Sequence, residues 1–163
     1  MARHAVPVDP REVARHAMPP IFDLVGKPTG RPRTASGKQR EAMVAGARQR
    51  VATGDWEGAK MGELLGLYCA LHRLVYGVAP SELDDGKQWR QATGMVGGFV
   101  KEEFGGDARA CADFIAWAWR REEGRDRWRQ QVGKERTRMA WRWQFNRSMV
   151  TDYRVALAKG NCK

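Results

Sequence analysis

Residues 56–76 read WEGAKMGELLGLYCALHRLVY, and this stretch decides the fold. Its apolar residues spread over more than one side of a helical projection, which is too broad an arc for a helix lying on the surface. These residues are Met61, Leu64, Leu65, Leu67, Tyr68, Leu71, Leu74 and Val75. Asp55 is placed to cap the helix and Gly77 to end it in a left-handed conformation. The stretch therefore predicts a central, buried helix, and His72 inside it is expected to be a hydrogen-bonded core residue.

Capping residues and glycines predict four further helices around the central one. They are a helix opened by a Ser36 and Gln39 capping box and ended at Gly54, one from Lys87 to Phe104, one capped by Asp107, and one capped by Ser148. No stretch shows the sustained alternation that predicts a strand. We therefore expect an all-α fold, a compact bundle of about five or six helices with a basic, partly flexible N-terminal arm.

The composition of the 163 residues fits one helical domain with a basic extension. Residues 1–38 are expected to form a short N-terminal helix and a basic flexible linker, because GKPTGRPRTASGK combines glycine, proline and cations. Residues 39–163 are expected to form the helical domain, whose C-terminal part is basic and rich in tryptophan and arginine. No apolar run approaches the roughly 20 residues that cross a bilayer, so we expect no membrane partner. The N-terminal stretch carries charges and prolines where a secretory signal is apolar, which favours the cytoplasm.

Motifs for catalysis and for metal binding are missing from the sequence. There is no P-loop, no GxSxG and no HExxH. The three cysteines lack CxxC spacing and the three histidines are scattered, which predicts no metal site. Four carboxylates lie in one region, namely Glu102, Glu103, Asp107 and Asp113, but they are more simply a solvated helix end and the cap of the next helix. We expect a non-enzymatic protein with no catalytic residue, no metal and no cofactor.

The positive charge is concentrated at the C-terminal end. The net charge is +10, and residues 119–163 hold 13 basic against 5 acidic residues, whereas residues 60–118 hold 6 against 8. Clustered cations raise both the attraction of a polyanion and its rate of encounter. A solvated basic face that keeps the protein soluble is the alternative. The clustering favours a nucleic-acid partner.

The tryptophans of the same region alternate with arginines. Residues 115–130 read IAWAWRREEGRDRWRQ and residues 139–147 read MAWRWQFNR, so five of the seven tryptophans lie between Trp117 and Trp143. In one interpretation the C-terminal segment folds back, and its apolar residues cover these rings while arginines stack on them or reach water. In the other, arginines bind phosphates and exposed rings stack on unpaired bases. Because exposing tryptophan is costly, most of the five are expected to be packed, with one or two at a rim.

Helical geometry indicates where the basic face begins. Cys111, Phe114, Ile115 and Ala118 share one face, and continuing that face meets Glu122, Arg125 and Arg129. The helix is therefore expected to leave the core near residue 119. The predicted nucleic-acid-binding residues of this region are Arg120, Arg121, Arg125, Arg127, Arg129, Arg138, Arg142 and Arg147, with Trp128 and Trp117 as the candidates for base stacking.

A second candidate contact lies in the N-terminal linker. Gly30-Arg31-Pro32-Arg33 resembles the core of an AT-hook, in which an extended Arg-Pro-Arg lies in the minor groove of A·T-rich DNA. The resemblance covers four residues and implies that Arg31 and Arg33 enter the groove. A flexible basic linker would contain the same residues.

These observations lead to two functional hypotheses of different classes. The first is a nucleic-acid-binding accessory protein in replication, packaging or regulation, of the kind that phages and other mobile elements use, with DNA favoured over RNA. It binds through the basic C-terminal surface and the N-terminal linker, within a larger protein complex or alone. The alternative is a protein-interaction module or inhibitor that docks a partner through the same residues, since tryptophan and arginine are enriched at binding hot spots.

Overall fold

The computed structural model describes residues 35–134 and 138–160 and confirms the all-α fold. The helices are α1 (Ala35–Thr53), α2 (Met61–Tyr76), α3 (Gly86–Phe104), α4 (Ala108–Gln131), α5 (Trp141–Gln144) and α6 (Arg147–Ala158), with a 3₁₀ turn at Ser81–Leu83. The described ranges contain no strand. Residues 1–34 of the predicted N-terminal arm, including Arg31 and Arg33, lie outside the described residues, whereas residues 35–38, predicted as linker, already belong to α1.

Helix α2 is the centre of the bundle, as its broad apolar arc predicts. Every residue from Gly62 to His72 is buried, and α1, α3 and α4 all pack against it. The helix ends at Gly77, whose φ of 78° is left-handed and whose N–H donates to the Arg73 carbonyl at 2.8 Å. Helix α2 is therefore the buried central helix, and α1, α3 and α4 surround it.

The predicted start of α2 is wrong by several residues. Asp55 does not cap it, because its Oδ1 accepts a hydrogen bond from the Glu57 N–H at 2.9 Å in the turn that precedes the helix. The helix begins at Met61, where the Glu63 carboxylate reaches back and accepts from the Lys60 N–H at 2.8 Å. The chain between α1 and α2 is therefore a short loop.

Two other predicted caps have different outcomes. Asp107 caps α4 as expected, since its Oδ1 accepts from the N–H groups of Arg109 and Ala110. Ser148 was the wrong residue for the last helix: Asn146 caps α6 by accepting from the Ser148 N–H at 2.8 Å. Asparagine and serine both cap helices through a side-chain oxygen, so the sequence alone did not decide which of Asn146 and Ser148 precedes the helix.

Small residues let α1 cross α2 at close range. A Cβ added at Gly66 would lie 2.7 Å from the Met43 backbone carbonyl carbon and oxygen, and one at Gly62 would lie 2.8 Å from the Met43 Sδ. Such distances are below ordinary van der Waals contact, so glycine is what permits the two helix backbones to meet. This crossing fixes α1 against the central helix.

The C-terminal segment folds back onto the core. The Tyr68 hydroxyl donates to the Met139 carbonyl at 2.7 Å, and the Trp141 and Val150 side chains are buried. The Phe145 ring packs 5.7 Å from that of Phe99. The segment thus folds back as the first interpretation of the sequence predicts, but it leaves Trp128 half exposed, and α6 then lies along α4.

The close crossing at Gly66 generates a paired stability prediction. Gly66→Ala should destabilise the protein by about 1–3 kcal/mol, because the added methyl group overlaps the backbone of α1. Gly98→Ala, on α3 with nothing within 4 Å of an added Cβ, should stabilise by about 0.5–1 kcal/mol through helix propensity alone. Urea unfolding followed by circular dichroism measures both. Equal changes for the two variants would show that α1 and α2 do not approach closely.

Candidate nucleic-acid interface

The core face of α4 continues further than the sequence predicts. Glu122 and Asp126 are only 6% and 3% exposed, so the helix does not leave the core near residue 119. The Gln130 Nε2 donates to the Asp126 Oδ2 at 2.9 Å. The sequence pattern predicts solvated charges on this face, whereas the structure buries them among polar partners.

Glu122 is the hub of a buried hydrogen-bond network, here called the Glu122 network, that consists of Glu122, Tyr76, Arg129 and the Met139 amide. The Tyr76 hydroxyl and the Arg129 Nη1 donate to the Glu122 Oε1 at 2.8 and 2.9 Å. The same Tyr76 oxygen accepts from the Met139 N–H at 2.8 Å. The network therefore joins α2, α4 and the segment that leads into α5.

The network changes the role of Arg129. Its guanidinium neutralises a buried carboxylate, and breaking such a pair leaves an uncompensated charge in the interior. The prediction that Arg129 belongs to an outward field of cations is therefore corrected, because its side chain faces inward and is mostly covered. Arg129 is a structural residue.

Burial also keeps the neighbouring core groups neutral. Desolvation raises the pKa of Tyr76 far above its ordinary value, and the hydrogen bond to Glu122 adds to the effect. Desolvation lowers the pKa of His72, whose Nδ1–H donates to the Val78 carbonyl at 2.7 Å. Both side chains are packing residues at neutral pH, which agrees with the sequence prediction for His72.

Three more of the predicted arginines are paired with carboxylates on the surface. The Arg121 Nη1 lies 3.7 Å from an Asp152 oxygen, and the Arg127 Nη2 lies 3.2 Å from a Glu123 oxygen. Arg147 Nε donates to Glu103 at 2.8 Å. Arg121 and Arg147 thus hold α6 to α4 and to α3, which leaves their charges partly neutralised.

The tryptophans divide into a buried and an exposed set. Trp117, Trp119 and Trp141 are buried, whereas Trp128 is 51% and Trp143 66% exposed. This division confirms that most of the five are packed and two lie at a rim.

Trp117 is one of the packed rings, and it cannot stack on a base. The Arg121 guanidinium lies 4.7 Å from its ring centroid, and the rings of Phe114 and Tyr153 pack around it at 6.5 and 5.2 Å. Of the two predicted stacking residues, only Trp128 presents an open ring. The prediction that Trp117 stacks on a base is therefore corrected: it is a packing residue.

Trp143 is exposed although the sequence pattern did not single it out. Trp141 and Trp143 are two residues apart, which places them about 200° apart on a helix. In a short amphipathic helix one of them must face the core and the other the solvent. The spacing of the two tryptophans therefore could have predicted that one of them is exposed. The structure buries Trp141 and exposes Trp143.

The exposed tryptophans and the neighbouring exposed cations define the candidate interface, here called the Trp/Arg surface. It consists of Arg125, Trp128, Lys134, Arg138, Arg142 and Trp143. Within residues 35–134 and 138–160, no carboxylate forms an ion pair with any of its four cations. The Lys134 Nζ lies 4.9 Å from the Trp128 ring centroid, and the Arg142 guanidinium lies 4.9 Å from that of Trp141.

The Glu122 network links the backbone segments that carry the two halves of the Trp/Arg surface. Arg125 and Trp128 are three residues apart on α4 and share a face, one turn beyond Glu122. Arg138 directly precedes Met139, whose N–H donates to the Tyr76 hydroxyl, which in turn donates to Glu122. The backbone next to Arg138 is therefore tied to Tyr76 at the end of α2 and, through Tyr76, to Glu122 on α4.

The acidic residues near the α3–α4 turn do not form a metal site. Glu103 accepts hydrogen bonds from Arg147 and Arg154, and Asp107 is the α4 cap. Burial raises the pKa of Asp113 to about 6. In the part of the chain that the structure describes, no three His, Cys, Asp or Glu side chains are grouped as metal ligands. None of the described helices has the length and apolarity to cross a bilayer.

Known proteins give no guide to this surface, since no family model, curated protein or solved structure matches the chain. An all-α fold hosts many unrelated activities and does not define one. The function must therefore come from the charges and the aromatic rings of the site.

The two roles of arginine on α4 can be separated by charge reversal. Arg129→Glu places a second carboxylate against buried Glu122 and should destabilise the protein by about 3–5 kcal/mol. Arg125→Glu, which lies on the exposed side, should change stability by no more than about 0.5 kcal/mol. Urea unfolding with circular dichroism detection compares the two. Similar midpoints for both variants would show that Arg129 does not support a buried charge.

Proposed function

We propose that this protein binds nucleic acid without catalysis, through the Trp/Arg surface. One observation carries the proposal: four cations without a carboxylate partner among the described residues lie in the same two short segments as two tryptophans that are more than half exposed. Like charges held together repel one another, and large aromatic rings in water are costly. The phosphates of a nucleic acid would neutralise the cations, and its bases would cover the exposed rings.

Each part of the surface has a physical role in this proposal. Arginine and lysine neutralise backbone phosphates and release condensed counterions, which makes the affinity strongly dependent on salt. Trp128 and Trp143 stack on unpaired bases, an interaction worth roughly 1–3 kcal/mol per base. Stacking needs an open base face, so the surface favours single-stranded over duplex nucleic acid.

DNA is the partner we propose ahead of RNA. The support is the resemblance of residues 30–33 to an AT-hook core, which implies that Arg31 and Arg33 form a second contact with the minor groove of duplex DNA, separate from the single strand at the Trp/Arg surface. The role that follows is an accessory one in replication, packaging or regulation. Arg31→Ala with Arg33→Ala isolates this second contact from the folded surface.

The test is a charge reversal with a matched control. Reversing Arg125, Arg138 and Arg142 to Glu should weaken binding of a fluorescein-labelled single-stranded DNA oligonucleotide at least tenfold. It should also make the log–log salt dependence shallower by roughly two units, at about 0.7 for each phosphate that is no longer neutralised. The control reverses Lys87, Arg90 and Lys101, three exposed cations of α3, with the same change in net charge. Fluorescence anisotropy at several salt concentrations, repeated with duplex DNA and RNA, measures the binding.

The outcomes distinguish binding at the Trp/Arg surface from binding that depends only on the net charge of the protein. Equal weakening in the two triple variants would mean that only net charge matters, and unchanged binding in both would reject nucleic acid as the partner. Trp143→Ala should lower the affinity while leaving the salt slope unchanged, because stacking releases no counterions. A protein partner would show a shallower and less regular salt dependence than an oligonucleotide.

A further inference from the structure

A second surface feature lies between α4 and α6, and its α4 residues precede Arg125 and Trp128 on the same helix. It is a groove of about 510 Å³, here called the α4–α6 groove, lined by Trp117, Arg120, Arg121, Asp152, Val155, Ala156 and Lys159. The lining residues on α6 are spaced i, i+3, i+4 and i+7, so they form one continuous face of that helix. Those on α4 are spaced i, i+3 and i+4. The groove is therefore built by two helix faces that meet along their length.

The charges of the groove are unbalanced. Three cations line it against one carboxylate, and the Arg121–Asp152 pair, with N···O of 3.7 Å, uses that carboxylate. Arg120 and Lys159 have no carboxylate ion-pair partner within the described ranges. The Arg120 Nε is enclosed and has no hydrogen-bond acceptor among the described residues. That nitrogen is shielded from a ligand, so what the groove offers to a carboxylate is the unbalanced charge of Arg120 and Lys159.

The remaining wall of the groove is aliphatic. Val155 is 46% exposed, and Ala156 lies beside it in the lining. The Trp117 ring is covered and offers no open face to a base. Aliphatic walls suit apolar side chains, whereas a sugar–phosphate backbone would desolvate against them without gain. The groove thus combines an apolar strip with excess positive charge.

We propose that the α4–α6 groove docks an acidic, amphipathic segment of a partner protein. Aliphatic side chains of the segment lie against Val155 and Ala156, and its carboxylates pair with Arg120 and Lys159. This is the helix-in-groove mode of recognition, and the groove volume falls in the range of small binding sites. The site is independent of nucleic-acid binding, and together the two surfaces make the protein an adaptor between a nucleic acid and a protein.

The test begins from an unbiased probe. A random peptide library displayed on phage is selected on the full chain and counter-selected on the Arg120→Glu, Lys159→Glu double variant. The enriched peptides should be rich in Asp and Glu around aliphatic residues. A fluorescein-labelled synthetic copy of the most enriched peptide should bind the wild type and show at least tenfold lower affinity for the double variant by anisotropy, with the Lys87→Glu, Arg90→Glu variant as the charge control.

A second variant keeps the test decisive if Arg120→Glu fails to fold. Val155→Asp with Lys159→Glu changes only exposed side chains and should weaken peptide binding to the same extent. No enrichment over the counter-selected variant, or equal affinity of the peptide for wild type and variants, overturns the proposal. So does a fall in oligonucleotide binding by the groove variants as large as that of the Trp/Arg triple variant, because the groove would then belong to the nucleic-acid surface. Weakened peptide binding with unchanged oligonucleotide binding supports a separate protein site, whatever the outcome for the Trp/Arg surface.

Discussion

The buried carboxylate of Glu122 is the interaction on which the rest of the molecule depends. A charge in the interior costs several kcal/mol unless its partners are in place. Here the partners come from three places in the chain, namely Tyr76 on α2, Arg129 one turn from the end of α4, and the Met139 amide through the Tyr76 hydroxyl. The network therefore ties α4 to α2 and to the point at which the C-terminal segment returns to the core.

This arrangement divides the arginines into two groups by what they contact. Arg129 forms an ion pair with the buried Glu122, and Arg121 and Arg147 form ion pairs that join α6 to α4 and to α3. Arg125, Arg138 and Arg142 carry exposed charge for which the described part of the chain supplies no carboxylate. The total of 13 cations after residue 118 therefore overstates the charge that a ligand meets. The set of exposed cations without a carboxylate partner in the described ranges is therefore smaller than the composition indicates.

Local signals in the sequence predicted the long helices but not the short helix α5 or the charged contacts between helices. The apolar arc of α2, its end at Gly77 and the Asp107 cap follow from spacing and side-chain chemistry alone. The start of α2 did not, because Asp55 has a nearer amide to bind, in the turn before the helix. Glu122 could not be recognised as a core residue, since its partners lie 46 residues before it and 7 after it. The sequence likewise predicted that most of the five tryptophans are packed but did not identify which ones, because the cover of Trp117 includes Tyr153, which is distant in sequence.

The most direct test of the central claim is to find which rings touch the ligand. Single-stranded DNA containing bromodeoxyuridine, irradiated with the protein and digested, reports contacting aromatic residues by mass spectrometry. The account predicts adducts on Trp143 and Trp128 and none on buried Trp117, Trp119 or Trp141. Adducts confined to residues outside the Trp/Arg surface, or no adduct above that of a basic control protein, would contradict it.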